Sequence, residues 1–119
     1  MHKIQDLKIW HKALDLCVSV YEISSQFPAD ERFGLTSQIR RSCVSIPSNI
    51  AEGAGRNTNG EFIHFLGIAN GSAYELQTQL MIAKSLNLCA LELDGILDKI
   101  DEIQKMYYKL QQTLKAKNG

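Results

Sequence analysis

The residues whose types and spacing come closest to a metal-binding motif are Glu61 and His64. In a helix, a Glu-x-x-His spacing places a carboxylate and an imidazole one turn apart, which is how some helical bundles hold a di-iron centre. Such a centre needs a second motif and further inward carboxylates, whereas this sequence contains a single Glu-x-x-His. Glu61 is also explained by a capping box with Thr58 at a helix start. We therefore expect no bound metal and no cofactor.

The sequence also lacks the features of a nucleophilic or phosphate-transferring enzyme. Ser42, Ser45 and Ser48 lie in one helical segment, but nothing in the sequence marks a base that would activate them. Gly53-Ala54-Gly55 is not a phosphate loop, because no strand precedes it and no Gly-Lys-Ser/Thr follows. It is typical of a helix C-terminus with glycine for a left-handed cap. We expect no catalytic residues, no enzymatic activity and no small-molecule substrate.

A set of polar residues on the second predicted helix is the strongest candidate for a functional surface. Its members are Arg40, Arg41, Ser45, Asn49, Glu52 and Arg56. Glu52 and Arg56 are four residues apart and can form an ion pair. Two interpretations remain open: a polar network at a subunit contact, or an arginine-lined groove that binds phosphate. On the second interpretation, lysines late in the last helix would add phosphate contacts, although they also suit the helix dipole.

Length and composition limit the architecture that positions these residues. The chain has 119 residues, enough for one domain over 1–119, with 45% hydrophobic and 22% charged residues. Its net charge is zero, which removes the argument for nucleic-acid binding that a strongly basic domain would supply. The three cysteines have no CxxC spacing, so we expect reduced thiols. Since neither a leader peptide nor a membrane span is evident, we expect a cytoplasmic protein.

Four segments with helical periodicity predict an all-α fold. The predicted helices are Asp6–Gln26, Phe33–Ala54, Asn59–Leu86 and Ala90–Lys115. Short connections favour an antiparallel, up-down-up-down four-helix bundle. Pro47 lies inside the second helix and removes one backbone hydrogen bond, so a continuous helix bent at Pro47 is expected.

The first predicted helix is apolar over more of its circumference than a bundle core needs. At about 100° per residue, its two adjacent apolar stripes span roughly 220°, against the ~100° of one core-facing stripe. We predict that part of this arc packs on another copy of the chain, because monomers avoid large apolar patches. The alternative is that the neighbouring helices and a loop cover the whole arc. Two glycines one turn apart on the third helix also favour a close contact with another helix or subunit. The candidate interface residues are Ile9, Leu16, Val20, Ile23, Gly67 and Gly71.

Between Leu7 and Leu88 the sequence resembles the 23S rRNA intervening-sequence proteins. The residues that carry the resemblance include Leu7, Trp10, Phe33-Gly34-Leu35, Gln38-Ile39-Arg40-Arg41-Ser42, Ser45-Ile46-Pro47-Ser48-Asn49-Ile50-Ala51-Glu52-Gly53, Gly55-Arg56, Glu61-Phe62 and Glu75-Leu76. The resemblance implies an antiparallel four-helix bundle that assembles as a homopentamer and has no established molecular function.

A related branch, the accessory variability proteins of diversity-generating retroelements, forms similar pentamers that bind a reverse transcriptase and nucleic acid. That branch is strongly basic, whereas this chain has no net charge. We therefore expect a non-catalytic homo-oligomeric scaffold, pentameric on the resemblance, that binds a macromolecular partner. The alternative is a protein that binds RNA or a partner resembling a reverse transcriptase.

Overall fold

The computed structural model describes residues 1–118 and confirms an all-helical bundle. Its four helices are α1 (Lys8–Ser24), α2 (Leu35–Ala54), α3 (Asn59–Ser85) and α4 (Asp94–Asn118). Short 3₁₀ turns at Ile4–Asp6 and Ala29–Glu31 precede α1 and α2, and the described residues contain no strand. Each helix packs on its neighbours in chain order, and α1 also packs on α4, which closes the bundle.

Contacts between neighbouring helices show that each runs opposite to the next. Between α1 and α4, Lys12 pairs with Glu102, while the later Asp15 pairs with the earlier Lys99. The same inverse order holds for the other three pairs of helices. Between α1 and α2, Cys17 contacts Cys43 and Ser24 contacts Arg40; between α2 and α3, Ser45 contacts Ser72 and Gly53 contacts Phe62. Between α3 and α4, Gln77 contacts Gln104 and Lys84 contacts Asp94.

The apolar seams expected of α2, α3 and α4 form one continuous core. Phe62 and Leu66 of α3, Ile46 of α2 and Ile100 of α4 are almost wholly buried in it. The largest buried side chains come from all four helices, so the detachment of any one helix would expose the core to water. Burial of this apolar surface is the main force that holds the helices together.

The prediction that one apolar stripe of α1 packs on another copy of the chain chose the wrong stripe. Ile9, Leu16, Val20 and Ile23 are buried in the core of the single chain, so they cannot form a contact surface between chains. Periodicity shows where apolar stripes lie on a helix, but the positions of α2 and α4 decide which stripe faces inward. The adjacent stripe of α1 is the one left partly exposed.

Helix α2 continues through Pro47, as expected, and Pro47 is buried. The missing N–H of proline interrupts one backbone hydrogen bond without ending the helix, because the apolar line continues in phase to Ile50 and Ala54, which are both buried. The bend at Pro47 stays a prediction.

The helix ends follow the expected chemistry at one place and depart from it at another. Thr58 caps α3, since its Oγ1 accepts the N–H of Glu61 at 3.1 Å, which confirms the N-cap half of the predicted capping box; the Glu61 carboxylate accepts the Thr58 hydroxyl, not its backbone N–H. The left-handed glycine cap predicted after α2 is wrong, because Gly55 has a φ of −81°. A left-handed residue does follow α3: Asn87, with a φ of 53°, where Leu88 N–H bonds the carbonyl of Ala83. Helix α4 begins at Asp94, four residues after the predicted start.

Candidate functional site

The polar residues singled out on α2 do not converge on one site. Arg40 and Arg56 lie 16 positions apart on α2 and the residues just after it, which corresponds to about 24 Å along a helix axis. Each member of the set has different neighbours, and most are engaged in contacts within the chain. The set therefore divides into two structural networks and one open, positively charged region.

The first network surrounds Arg56 at the α2–α3 connection. One Nη atom of Arg56 lies 2.9 Å from Glu52 Oε1, and the other lies 3.9 Å from Glu61 Oε2. The guanidinium also lies over the ring of Phe65, 4.7 Å from its centroid. Since two carboxylates neutralise Arg56, it is a poor phosphate ligand, and its contacts tie the end of α2 to the start of α3.

The second network joins the middles of α2 and α3. Ser45 Oγ and Ser72 Oγ are 2.8 Å apart, and Asn49 Nδ2 donates to both the carbonyl and the hydroxyl of Ser45. Ser72 is buried, and the other two side chains are half-buried. These residues satisfy each other's polar groups at a helix contact, which is the structural interpretation of their presence on this side of α2.

Arg40 connects α2 to the C-terminal end of α1. Its Nε donates to Ser24 Oγ at 2.9 Å, and its Nη2 donates to the carbonyl of Tyr21 at 3.3 Å. The guanidinium lies over the Tyr21 ring, 4.6 Å from the centroid. A cation at a helix C-terminus is favourable because it faces the negative end of the helix dipole. Arg40 is therefore a structural residue whose charge is not neutralised by a carboxylate.

Arg40 also lines an open groove that the sequence did not reveal. The groove has a volume of about 500 Å³ and lies where the end of α1 meets the start of α2. Its lining residues are Tyr21, Arg32, Phe33, Thr36, Ser37, Arg40, Arg41 and Val44. Within residues 1–117, no carboxylate oxygen comes within 4.0 Å of the guanidinium groups of Arg32, Arg40 or Arg41. The groove therefore carries concentrated positive charge in a chain of zero net charge.

Thr36, which lines this groove, has a side-chain oxygen that is buried behind the groove surface. Its residue is only 8% exposed, and its Oγ1 has no hydrogen-bond partner among the described residues. Leaving a buried hydroxyl unpaired costs about 1–3 kcal/mol, so most buried hydroxyls find a partner. No sequence signal could have identified this atom, because its isolation depends on the residues that surround it.

The partly exposed stripe of α1 forms an apolar surface next to this groove. Leu14 is 39% exposed and Val18 is 57% exposed, and exposed Val44 of α2 lies in the groove with Tyr21, one turn after Val18 on α1. Half-buried Trp10 and Cys17 connect this stripe to the core. We call Leu14, Val18 and Val44 the α1–α2 apolar face.

The two glycines predicted to lie at a close contact are on the outward side of α3. A Cβ added at Gly67 or at Gly71 would meet no atom within 4 Å, so neither glycine allows a close approach inside this chain. Exposed Tyr74 and Met81 follow on the same side of the helix. We call Gly67, Gly71, Tyr74 and Met81 the outer face of α3.

The Cys17 and Cys43 thiols interact where α1 crosses α2. Cys17 Sγ donates to the carbonyl of Cys43 at 3.0 Å, and Cys43 Sγ donates to the carbonyl of Arg40 at 3.2 Å. The neighbouring Cys43 side chain lowers the pKa of the Cys17 thiol, although burial opposes this effect. The neighbouring Cys17 side chain and burial both raise the pKa of the Cys43 thiol. All three cysteines are free thiols.

Glu61 and His64 do not gather further metal ligands around them. Glu61 takes part in the capping box and faces Arg56, while His64 is exposed and packs edge-on against the ring of Phe65. Within the part of the chain that the structure describes, no three His, Cys, Asp or Glu side chains lie together as ligands. None of the helices in residues 1–118 is apolar over enough of its length to cross a lipid bilayer.

Known structures and sequences place this chain among helical bundles of one family. A protein of unknown function from the S23 ribosomal protein family of Bacteroides thetaiotaomicron VPI-5482 has a similar structure, with a TM-score of 0.80 and 24% sequence identity over 87% of this chain and 95% of that chain. At this identity the similarity shows the fold alone. No protein of curated function matches the sequence. The sequence matches the 23S rRNA-intervening sequence protein family over residues 5–109, most of its length, and the chain therefore belongs to that family.

Proposed function

We propose that the protein is a non-catalytic scaffold that assembles from several copies of itself. The observation that carries this proposal is the α1–α2 apolar face, which the single bundle leaves uncovered at Leu14 and Val18. Large apolar side chains on the outside of a rigid helix are expensive to keep in water when they form a continuous patch. A second copy of the chain is the occupant that we assign to this face.

The charges beside the α1–α2 apolar face favour a second copy over a charged partner. On α1, Lys12 and Asp15 form ion pairs with Glu102 and Lys99 of α4, so both are neutralised inside the chain. The whole chain has 13 basic and 13 acidic residues, so copies of it do not repel each other through net charge. The apolar face therefore has neutralised charges on the side towards α4, which fits an apolar surface on a second copy, while on its other side Val44 borders the unneutralised Arg40 and Arg41.

The outer face of α3 is the complementary surface that we assign to the neighbouring copy. Gly67 and Gly71 leave open space beside the helix backbone, so a side chain such as Leu14 or Val18 can approach closely there. Small residues one turn apart are well suited to close helix contact, and without such a contact each glycine only weakens α3. The two glycines thus have a reason to be present in the assembly that they lack in the single chain.

The two proposed surfaces lie on different sides of the bundle, because α1 and α3 are diagonal helices that both pack on α2 and α4. A contact between two different surfaces is heterologous; it does not stop at a dimer, and it gives a ring when the rotation between copies closes and an open filament when it does not. A five-membered ring, which the family resemblance implies, is one such closure. The proposed assembly is therefore cyclic, with α1 and α2 of one copy against α3 of the next.

The test is the native mass of the purified full chain, measured by light scattering across a range of protein concentrations. We expect the wild type to be larger than a dimer. Val18→Glu should shift it towards the monomer, because it places a charge in the middle of the apolar contact. Gln112→Glu is the matched control, since it adds the same charge at an exposed position of α4. A wild-type monomer at micromolar concentration, or equal dissociation by both variants, would overturn the proposal.

A glycine substitution tests the α3 side of the same contact. Gly71→Ala adds a methyl group into space that is empty in the single chain, so the monomer should become more stable, by about 1 kcal/mol from helix propensity. In the proposed assembly the same methyl group pushes the neighbouring copy away, so the monomer fraction should rise. Gly95→Ala is the control, because its added Cβ also meets no atom within 4 Å but lies on α4. An unchanged native mass in Gly71→Ala would remove α3 from the interface.

A further inference from the structure

Cys17 of α1 and Cys43 of α2 meet where the two helices pack on each other. Cys17 Sγ lies 3.0 Å from the carbonyl oxygen of Cys43, so no other side chain stands between Cys17 and the backbone of α2. Each side chain is also the largest influence on the pKa of the other thiol, lowering the pKa of Cys17 and raising the pKa of Cys43. The two thiols are therefore direct neighbours across the helix contact.

The hydrogen bonds that the two thiols make are weak enough to exchange. Each sulfur has a backbone carbonyl as its partner: Cys17 donates to Cys43, and Cys43 donates to Arg40 at 3.2 Å. A thiol is a weak donor, so turning the two side chains away from these carbonyls costs little. The distance between packed helices depends on the side chains at the contact, and both residues here are small. A bond between the sulfurs then requires side-chain rotation rather than unfolding.

The two thiols differ in exposure, which gives each a separate role in an oxidation. Cys17 is half-buried and precedes the exposed Val18, whereas Cys43 is fully buried. A small oxidant from solvent therefore reaches Cys17 first. The lowered pKa of Cys17 favours its thiolate, which is the reactive form of a cysteine. Cys43 lies behind Cys17 in the core, in position to attack the oxidised Cys17 sulfur.

Cys89 supplies an internal comparison, because it has a similar exposure and a different setting. It is half-buried in the connection between α3 and α4, where its Sγ donates to the carbonyl of Leu91 at 3.5 Å. Oxidation that depends on exposure alone would affect Cys89 and Cys17 alike. Oxidation that depends on a neighbouring thiol would give a disulfide from Cys17 and Cys43 only.

We propose that Cys17 and Cys43 form an oxidation site, at which hydrogen peroxide converts the two thiols into an intrachain disulfide that joins α1 to α2. First, the Cys17 sulfur attacks a peroxide oxygen, the O–O bond breaks, and the other oxygen leaves as water with the thiol proton, so that Cys17 becomes a sulfenic acid. Next, the Cys43 sulfur attacks the Cys17 sulfur, the S–O bond breaks, and the hydroxyl leaves as water with the Cys43 proton. The thiols lose two electrons, the peroxide is reduced to two waters, and an added thiol reverses the disulfide.

The disulfide would close a loop of chain that runs from the middle of α1 to the middle of α2. Because the two helices are already in contact, the folded state keeps its packing while the unfolded chain loses freedom. The oxidised chain should therefore unfold about 10 °C above the reduced chain. This inference does not rest on self-assembly, since both thiols belong to one chain.

Peptide mapping by mass spectrometry, after treatment of the reduced full chain with hydrogen peroxide, tests the site. Free thiols are blocked with N-ethylmaleimide as the protein is denatured. We expect one disulfide, between the peptides that hold Cys17 and Cys43, in a chain that keeps its monomer size on a non-reducing gel. Dithiothreitol should restore both thiols. The same treatment in urea is the control, because an unfolded chain has no fixed neighbours and should also give pairs that include Cys89.

Three single variants separate the two steps. Cys89→Ala should form the disulfide as the wild type does. Cys17→Ser should lose the disulfide and leave Cys43 as a free thiol, because the oxidant does not reach the buried residue. Cys43→Ser should lose the disulfide but accumulate sulfenic acid at Cys17, which dimedone traps. Two cysteines with a purely structural role would not show this difference.

Three results would overturn the proposal. The first is that Cys17 and Cys43 stay unlinked in the treated wild type, whether unreacted or with Cys17 oxidised to the sulfinic acid. The second is a disulfide in the folded protein that joins two chains or includes Cys89. The third is an oxidised chain that unfolds at a lower temperature than the reduced chain, since the bond would then have displaced the helices.

Discussion

Replacing Gly53 by alanine should destabilise the bundle, although alanine is the better helix former. Gly53 lies in the last turn of α2, where α3 passes closest. An added Cβ would lie 2.8 Å from Phe65 Cβ, 2.9 Å from Phe62 Cδ1 and 3.2 Å from the carbonyl oxygen of Phe62. Carbon atoms in good contact are about 3.5–4.0 Å apart, so the new methyl group overlaps its neighbours.

The size of the effect follows from two opposing contributions. Overpacking of this kind lowers the free energy of unfolding by about 1–3 kcal/mol. The upper end applies here because the contacted atoms are a backbone oxygen, a Cβ and a ring carbon of α3, which cannot easily move away. The gain in helix propensity returns about 1 kcal/mol. The net loss is therefore about 1–2 kcal/mol, which should lower the Tm by about 4–8 °C for a chain of this length.

The assay is thermal unfolding followed by circular dichroism, with wild type and variants at one protein concentration. Gly55→Ala is the matched control, because its Cβ would have only ordinary contacts of 3.6 and 3.7 Å and its φ of −81° suits alanine. It should unfold at or slightly above the wild-type temperature. If Gly53→Ala is as stable as Gly55→Ala, the close approach of α2 and α3 at this position does not exist.

Two smaller predictions concern other contacts. Thr58→Ala should lower the free energy of unfolding by about 1 kcal/mol, because the N–H of Glu61 loses its cap; an urea titration that gives the wild-type midpoint would contradict this role. Iodoacetamide should alkylate Cys17 before Cys43, because Cys17 is half-buried and its pKa is lowered, whereas Cys43 is fully buried, has a raised pKa and stays unmodified until the protein unfolds. Mass spectrometry of the digested protein reports both rates, and alkylation of Cys43 before Cys17 would refute the assignment.

Helix periodicity was sufficient to predict the fold, because each helix carries its own apolar pattern. The seams of α3 and α4 needed only the spacing of residues such as Phe62, Leu66 and Ile100. The N-cap at Thr58 was also predictable, since a cap depends on residues three positions apart. The start of α4 was placed four residues early, because Ala90 to Leu93 have no strong helix-breaking residue and only the packing of the connection places the first turn at Asp94.

The candidate surfaces were less predictable for the same physical reason. The sequence showed that α1 has two apolar stripes, but Ile9 and Leu16 could be assigned to the core only after α2 and α4 were in place. Along α2, Glu52 and Arg56 looked like part of one surface with Arg40, yet Arg56 is neutralised at one end while Arg40 belongs to the groove at the other.

Local order along this chain is thus encoded in interactions between residues within a few positions of each other, and those are visible in the sequence. The groove joins Tyr21 of α1 to Arg32, Thr36 and Arg41, and the isolation of the Thr36 hydroxyl depends on what is absent around it. Whether a polar atom is satisfied, or an apolar side chain is covered, depends on distant segments that meet only after folding. For that reason the bundle was predictable from residue spacing, whereas its unpaired and uncovered groups required the three-dimensional arrangement of the helices.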